Sequence, residues 1–343
     1  MLDISKDIFL EDRHGGDLSD AQRIYKEVTQ WIDLSTGINP NPYKEFNLDI
    51  SIYNNLPSPY RIEQLLFIAR GYYQLKENIP LIAYQGAQGF INILPQIIEE
   101  MNNKNIQIYS PTYSEHYKSW INAGYNINLI YKTESKINPS AVTVVVNPNN
   151  PDGKIYNQDE LEILHNKIQD RDGFLIIDES FMDATPDQGF NYFTEKKNVI
   201  IIRSFGKFFG LPGLRLGFAY GDTKYINKIE QLVGPWPISV SSIDIAMKAM
   251  SDIEWIKHTI NQLKIRSNDL ELSLKDLGIE IIGGTLFFKL IKLEDANKIN
   301  HLLAKEGIWT RKFSYNNSWL RLGVPKNQFE LSYLVNKMKK ILR

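Results

Sequence analysis

The sequence predicts an α/β fold: a mostly parallel central sheet flanked by helices, with a smaller α+β domain. Three observations carry this. Short apolar, often β-branched runs recur through the middle of the chain, amphipathic stretches lie between several of them, and the alternation stops near Gly234-Pro235-Trp236-Pro237. Runs this short and apolar suit strands buried on both faces. Strands alternating with helices point to a parallel sheet covered by helices.

Along the chain, the first 45 or so residues lack the repeating β–α pattern of doubly wound sheets and are expected to pack against it. Residues 86–101 read as an amphipathic helix, 106–109 as a strand ending at Ser110-Pro111-Thr112, and 115–123 as a helix. The run 142–146 is a β-branched strand, 158–169 a helix, and 174–177, 199–202 and 214–220 are further strands. Beyond the Gly-Pro-Trp-Pro break come a long helical region over 241–277, strands near 280–282 and 285–290, a helix near 293–305, strands near 308–311 and 319–324, and a last helix to Arg343. The expected division is a large domain over 45–235 and a small one built from 1–44 plus 236–343. There is no internal repeat, low-complexity tract or long charge run.

The length, 343 residues, fits about two domains. Folding at this size buries about three quarters of the unfolded surface, so no disulfide or metal staple is needed. Lys and Arg total 39 against 40 Asp and Glu, a net charge of −1, which argues against a basic nucleic-acid surface. Cysteine is absent, which removes thiolate nucleophiles, Cys-ligated zinc and iron–sulfur clusters. Residues 1–12 carry Asp3, Lys6, Asp7, Glu11 and Asp12, so no secretory signal is expected there. No apolar run approaches the ~18 residues of a membrane span. The expectation is a cytoplasmic protein with no membrane or nucleic-acid partner.

Ligands of open α/β sheets bind at the carboxyl ends of the strands. Three runs end in polar clusters: Asn147-Pro148-Asn149-Asn150-Pro151-Asp152-Gly153 after the first, Asp178-Glu179-Ser180-Phe181 after the second, and Arg203-Ser204-Phe205-Gly206-Lys207 after the third, with Gly210, Gly213, Arg215 and Gly217 following. Lys207 lies in a glycine-rich turn and is either a surface lysine or an amine tuned by its site to form a Schiff base. Ser204, Lys207 and Arg215 together suggest a phosphate held beside an amine. Asp178 ends a buried strand, where an unpaired carboxylate is costly, so a positive partner is expected: a pyridinium nitrogen or an arginine.

With these residues in place, the sequence resembles the fold type I pyridoxal-phosphate (PLP) enzymes of the class I/II aminotransferase family. The matching signatures are Asn150-Pro151-x-Gly153, Asp178-Glu179-x-Phe181, Ser204-x-x-Lys207 and Arg215-x-Gly217. The resemblance implies the PLP-dependent transferase fold and a set of roles. Lys207 would hold the cofactor covalently and later move the proton. Asp178 would pair with the pyridine nitrogen and keep it protonated. Asn150 would bond the ring 3-oxygen, and Ser204 and Arg215 would hold the cofactor phosphate. Gly86-Ala87-Gln88 looks like the family's phosphate loop at a helix start, though it also reads as a plain turn. Tyr113 matches the aromatic that stacks on the ring, and otherwise reads as core packing.

Two N-terminal segments narrow the resemblance. His14-Gly15-Gly16, followed by Ser35-Thr36-Gly37-Ile38-Asn39-Pro40, is similar to the threonine-phosphate decarboxylases of the cobalamin pathway, as is Asp178 to Asp183. The implied activity is decarboxylation of L-threonine O-3-phosphate, a small phosphorylated amino acid, to aminopropanol phosphate. Arg321 matches the carboxylate-binding arginine and Arg311 a second arginine aimed at the substrate, while His14, Gly15, Asn39 and Asn150 complete the implied substrate contacts. Planar guanidinium groups suit bidentate capture of carboxylate or phosphate. Arg311 otherwise reads as a surface residue on a short strand and His14 as a loop-packing histidine.

Some positions depart from the family pattern. Gln88 stands where the phosphate loop often has an acidic residue, Asp152 where threonine is usual, and Phe181 where histidinol-phosphate aminotransferases have tyrosine. Leu56 stands where many relatives have a tyrosine that reaches the neighbouring subunit's cofactor phosphate, leaving Tyr53 and Tyr60 as substitutes. A homodimer is expected. The rival readings are a histidinol-phosphate-type aminotransferase and a PLP-fold binding or regulatory module, the latter disfavoured by the intact Lys207 and Asp178. The five histidines show no paired metal spacing, so no metal is expected.

Overall fold

Valine and isoleucine dominate the runs 142–146, 174–178 and 199–204, and every residue in them except Ser204 is buried. Strands covered on both faces need such near-continuous apolar sequence, and these three form the centre of a seven-stranded sheet. The computed structural model describes residues 14–47, 49–98, 104–131, 142–169, 173–189 and 191–342. Residues 1–12 and the last part of the expected 86–101 helix lie outside them.

The elements in chain order are α1 (Leu18–Ile24), β1 (Ile32–Leu34), α2 (Pro59–Tyr72), β2 (Leu81–Tyr84), α3 (Gly86–Ile97), β3 (Asn105–Tyr109), α4 (Ser114–Asn122), β4 (Asn126–Ile130), β5 (Val142–Val146) and α5 (Gln158–Gln169). There follow β6 (Phe174–Asp178), β7 (Val199–Ser204), α6 (Phe205–Phe208), β8 (Gly217–Gly221), α7 (Thr223–Val233), α8 (Val240–Ser251), α9 (Ile253–Asp276), β9 (Glu280–Gly284), β10 (Phe288–Lys292), α10 (Ala296–Lys305), β11 (Ile308–Phe313), β12 (Asn316–Gly323) and α11 (Gln328–Ile341). The sequence reading omitted β1, β2, β4, α1, α2 and α7, and read the short helix α6, which carries Lys207, as a turn.

The described chain divides into a larger unit, residues 42–150 and 155–258, and a smaller one, residues 14–41, 151–154 and 259–342. The larger unit holds the sheet in the order β2-β8-β7-β6-β5-β3-β4. All its strands run parallel except β8, which is antiparallel to both neighbours. The carboxyl ends of β2, β3, β5, β6 and β7 therefore share one edge with the entering end of β8. A reciprocal capping box starts α5: Glu160 N–H donates to Asn157 Oδ1 at 2.9 Å, and Asn157 N–H to Glu160 Oε2 at 2.8 Å.

The structure draws the division at 258 rather than 235, because α8 packs on α2 and so groups with the larger unit. The helical region expected over 241–277 is two helices, broken at Asp252, whose carboxylate accepts the Trp255 N–H at 3.0 Å. The strand expected from 214 starts at Gly217, because Pro212–Leu214 form a tight helical turn and Arg215 adopts the left-handed conformation, φ 51°.

The smaller unit has a five-stranded sheet in the order β1-β11-β12-β10-β9, antiparallel except for β1 beside β11. Residues 14–41 group here through that strand pair. Leu303, Ile308, Leu320, Leu322, Leu334 and Met338 are fully buried between the sheet and helices α10 and α11.

Glu271 on α9 ties this unit together at its surface. Its carboxylate accepts from Lys275 Nζ and from Lys289 Nζ on β10, both at 2.7 Å. These bonds hold its pKa down to about 2 from the ordinary 4.5, against a smaller upward push from burial. A carboxyl lowered on folding stabilises fully above about pH 4.5, and that contribution is lost as the pH falls towards 2. Glu271→Gln is expected to lower the melting temperature by about 1–3 °C at pH 7, a small effect because the pair is partly exposed. The difference from wild type should narrow below pH 4.5 in a melting series; a constant gap would count against the pairing.

Candidate active site

One cavity opens at the shared strand edge of the larger unit. Its walls include Gly86, Ala87 and Gln88 from α3, Tyr113 before α4, Asn150 after β5, Asp178 at the end of β6 with Ser180 and Phe181 after it, and Ser204, Lys207 and Arg215 around β7 and β8. All nine residues expected at the cofactor are thus brought together from six segments. Phe181 and Ser180 join them.

Lys207 sits on the four-residue helix α6, which is held by its aromatic neighbours. Phe205, Phe208 and Phe209 are fully buried. Phe209 stacks on Trp255 with centroids 5.6 Å apart, and Phe208 meets the same indole edge-on at 5.7 Å. With these rings anchored, Lys207 faces the cavity with its Nζ 5.5 Å from the centroid of the Phe181 ring. Arg215 reaches the same cavity from a left-handed backbone, a conformation that costs an ordinary residue about 1–2 kcal/mol. Its guanidinium lies over Gly86: a Cβ there would stand 2.9 Å from Nη2. Gly217 lets β8 approach the same loop, since a Cβ on it would stand 2.6 Å from the Ala87 nitrogen. This is the physical content of the Arg215-x-Gly217 pattern.

Asp178 has a buried hydrogen-bonding partner, His116 on α4, which the sequence reading did not assign. Its Oδ2 is 2.9 Å from His116 Nε2, with both side chains buried. Oδ1 accepts from the Ser180 N–H at 2.9 Å and the Ser180 hydroxyl at 2.5 Å. Burial pushes the Asp178 carboxyl upward, but the bond and charge of His116 and the two Ser180 bonds outweigh it and hold the group below its ordinary value. Ser180 was legible as an Asx turn two residues beyond Asp178. His116 was not, because 62 residues separate it from its partner.

The departure at Gln88 has a local purpose. Gln88 Oε1 accepts the Tyr113 hydroxyl at 3.1 Å, while its Nε2 donates to Asn92 at 2.8 Å and Glu115 at 3.3 Å. The amide thus tethers the ring expected to stack on the cofactor. The loop carrying Asn150 is tied to that of Tyr113: Thr112 Oγ1 donates to Asn149 Oδ1 at 2.6 Å, and Asn149 Nδ2 to the Pro111 carbonyl at 3.0 Å. Gly153 belongs to the smaller unit, where the Gly284 carbonyl oxygen would lie 2.1 Å from a Cβ.

The residues expected at the substrate lie in the smaller unit. Arg311 on β11 and Arg321 on β12 are cross-strand partners, 8% and 6% exposed. Arg321 Nη2 donates to the Ser35 carbonyl at 2.9 Å, with its guanidinium over the Phe288 ring at 4.8 Å. Arg311 lies over the Phe313 ring at 5.2 Å. Gly16 N–H donates to Ser35 Oγ at 2.8 Å, which brings the His14-Gly15-Gly16 turn to the same place. Asn39 is buried and its Oδ1 accepts the Asn41 N–H at 3.0 Å. His14 is exposed.

The cavity fits PLP. The Gly86 position, kept clear under Arg215, makes a phosphate cradle where α3 begins, and the N-cap Gln85 makes no side-chain cap bond there. Lys207 would supply an amine for the aldehyde, and the ionised Asp178 a partner for a protonated ring nitrogen. His116→Phe is expected to weaken PLP binding about tenfold or more, since a hydrogen bond to a charged group is worth roughly 1.5–3 kcal/mol. Fluorescence titration of the apoprotein measures this, and an unchanged affinity would remove His116 from the support of Asp178.

Residues 58–338 match the family model of the class I and II aminotransferases. Threonine-phosphate decarboxylase of Pseudomonas aeruginosa is 34% identical over 318 residues, covering 92% of this chain and 93% of its own. The Sinorhizobium enzyme of the same name is 32% identical over 314 residues, 91% of this chain and 92% of its own. Histidinol-phosphate aminotransferase of Sinorhizobium meliloti, solved in complex with pyridoxal-5'-phosphate, shares the fold with a TM-score of 0.76 at 14% identity, covering 98% of this chain and 96% of that one. The strand-edge cavity, the family match over most of the length and two relatives aligned over nine-tenths of it lead to one conclusion: this chain belongs to the class I and II aminotransferase family.

Proposed function

We propose that the chain is a PLP-dependent carbon–carbon lyase that decarboxylates L-threonine O-3-phosphate to (R)-1-aminopropan-2-yl phosphate in cobalamin biosynthesis, acting in the cytoplasm as a homodimer. The observation that carries this reading is the alignment with two threonine-phosphate decarboxylases along nearly the whole chain. The grouping of Arg311 and Arg321 with the His14-Gly15-Gly16 turn supports it, because the substrate carries two anionic groups. The exposed Ile50, Tyr53, Leu56, Tyr60 and Phe67 support association with a second copy.

Bound PLP draws electrons from whichever substrate Cα bond stands perpendicular to its ring. The chain's residues choose that bond. Arg321 takes the carboxylate, Arg311, His14 and the Gly15 N–H supply further donors, and Asn39 positions the substrate so that Cα–carboxylate is the perpendicular bond. Asp178 would keep the ring nitrogen protonated, Asn150 would bond the ring 3-oxygen, Tyr113 would stack on the ring, and Ser204, Arg215 and residues 86–88 would hold the phosphate. Lys207 or a water returns the proton to Cα after carbon dioxide leaves.

The purified protein is expected to be yellow, and Lys207→Ala to abolish covalent attachment of PLP while other contacts retain some of it. Phosphothreonine should release carbon dioxide. Turnover confined to histidinol phosphate with 2-oxoglutarate would replace this reading by the aminotransferase one, and a colourless protein that takes up no PLP would end both. Arg321→Ala should raise KM for phosphothreonine about a hundredfold, the loss of roughly 3 kcal/mol in charged hydrogen bonds, and leave the PLP requirement nearly unchanged. Equal loss of both would reject the role given to Arg321.

A further inference from the structure

Ser35 is fully buried and joins three segments of the smaller unit. Its hydroxyl accepts from the Gly16 N–H at 2.8 Å and donates to Asp33 Oδ1 at 2.6 Å. Its own N–H donates to the same Asp33 oxygen at 2.8 Å, and its carbonyl accepts from Arg321 Nη2 at 2.9 Å. The packing leaves no slack: a Cβ on Gly15 would stand 2.2 Å from the Ser35 carbonyl oxygen and 2.8 Å from its hydroxyl. Ser35 follows β1, whose Leu34 pairs with Thr310, one residue before Arg311, and Arg311 pairs with Arg321. The His14 turn and both arginines therefore share one support.

We propose that Ser35, held by Asp33, is a positioning residue for substrate recognition. Its carbonyl fixes one edge of the Arg321 guanidinium, and its hydroxyl fixes the turn that carries His14. The two anion-reading elements are thereby set at one spacing, which selects a substrate carrying a carboxylate and a phosphate a fixed distance apart. The inference rests on the proposed function for the identity of that substrate and for the roles of Arg321 and His14 in binding it.

The test uses the holoenzyme with phosphothreonine. Ser35→Ala removes the Gly16 acceptor and the hydroxyl's bond to Asp33 but keeps the backbone carbonyl and the N–H bond to Asp33. It is expected to raise KM about tenfold or more, with kcat changed less than threefold, the PLP dissociation constant within twofold of wild type and the melting temperature within a few degrees. Asp33→Ala leaves Ser35 in place, removes the acceptor of its hydroxyl and should raise KM similarly, which keeps the test open if Ser35→Ala does not fold. Because the hydroxyl acts through the turn, adding Ser35→Ala to His14→Ala should raise KM by less than threefold over His14→Ala alone. A merely structural Ser35 would lower the melting temperature while KM stayed put, or would add its full effect to that of His14→Ala; either result overturns the proposal, as does an unchanged KM in both Ser35→Ala and Asp33→Ala. Calorimetric binding of phosphothreonine runs alongside. Wild-type binding without carbon dioxide release would defeat the decarboxylase reading while the binding constants still tested Ser35, and no binding at all would overturn both.

Discussion

A guanidinium buried in the sheet fixes the strands that build the cavity. Arg203 is 2% exposed and lies one residue before Ser204. Its Nε is 3.0 Å from Glu179 Oε2 and 2.9 Å from the Tyr220 hydroxyl, and its Nη1 is 3.1 Å from Asp183 Oδ1. The Tyr73 ring covers it at 5.0 Å, and Tyr220 passes a hydrogen bond on to Asn191 at 3.3 Å. A charge so far from water must be paired, and removing one partner of such a pair leaves an uncompensated ion in the interior. Burial raises the Asp183 carboxyl to about 6 even against the pull of Arg203. Because Glu179 follows Asp178 and Arg203 precedes Ser204, the network holds the cavity-facing ends of β6 and β7 at one relative height.

From that fixed edge the site follows by close approach. Parallel strands put their carboxyl ends together, and the reversed strand β8 delivers Arg215 to the same edge because it enters there. Glycine at 86 and 217 lets the α3 loop, β8 and the Arg215 guanidinium meet within distances that a Cβ would forbid. The charges that matter are few and local: Lys207 and Arg215 in the cavity, Asp178 held ionised by His116 and Ser180, and two arginines in the smaller unit. They vanish in a chain balance of 39 against 40, which is why net charge argued against a basic nucleic-acid surface yet said nothing about phosphate binding.

Much of this was legible from residue order. Buried strands have the composition that burial on both faces requires, so 142–146, 174–177 and 199–202 could be placed almost to the residue. The polar clusters after them marked the cavity, and all nine residues expected to line it do so. Short or edge elements such as β1, β2 and β4 were missed because three to five mixed residues carry little periodicity. The division at 235 was set by a Gly-Pro break, whereas the packing of α8 on α2 carries the larger unit to 258.

What the sequence determined by itself was the alternating fold, the family resemblance and the polar clusters that line the cavity, because these depend on composition and on spacing within short segments. What the tertiary structure decided was partnership across long separations. His116 pairs with Asp178, Arg203 draws Glu179, Asp183 and Tyr220 around it, Gln88 tethers Tyr113, and Ser35 joins Gly16 to Arg321. Each such contact depends on where two distant stretches of backbone come to rest, which is fixed by packing and by the geometry of the sheet, and linear order holds no measure of that distance.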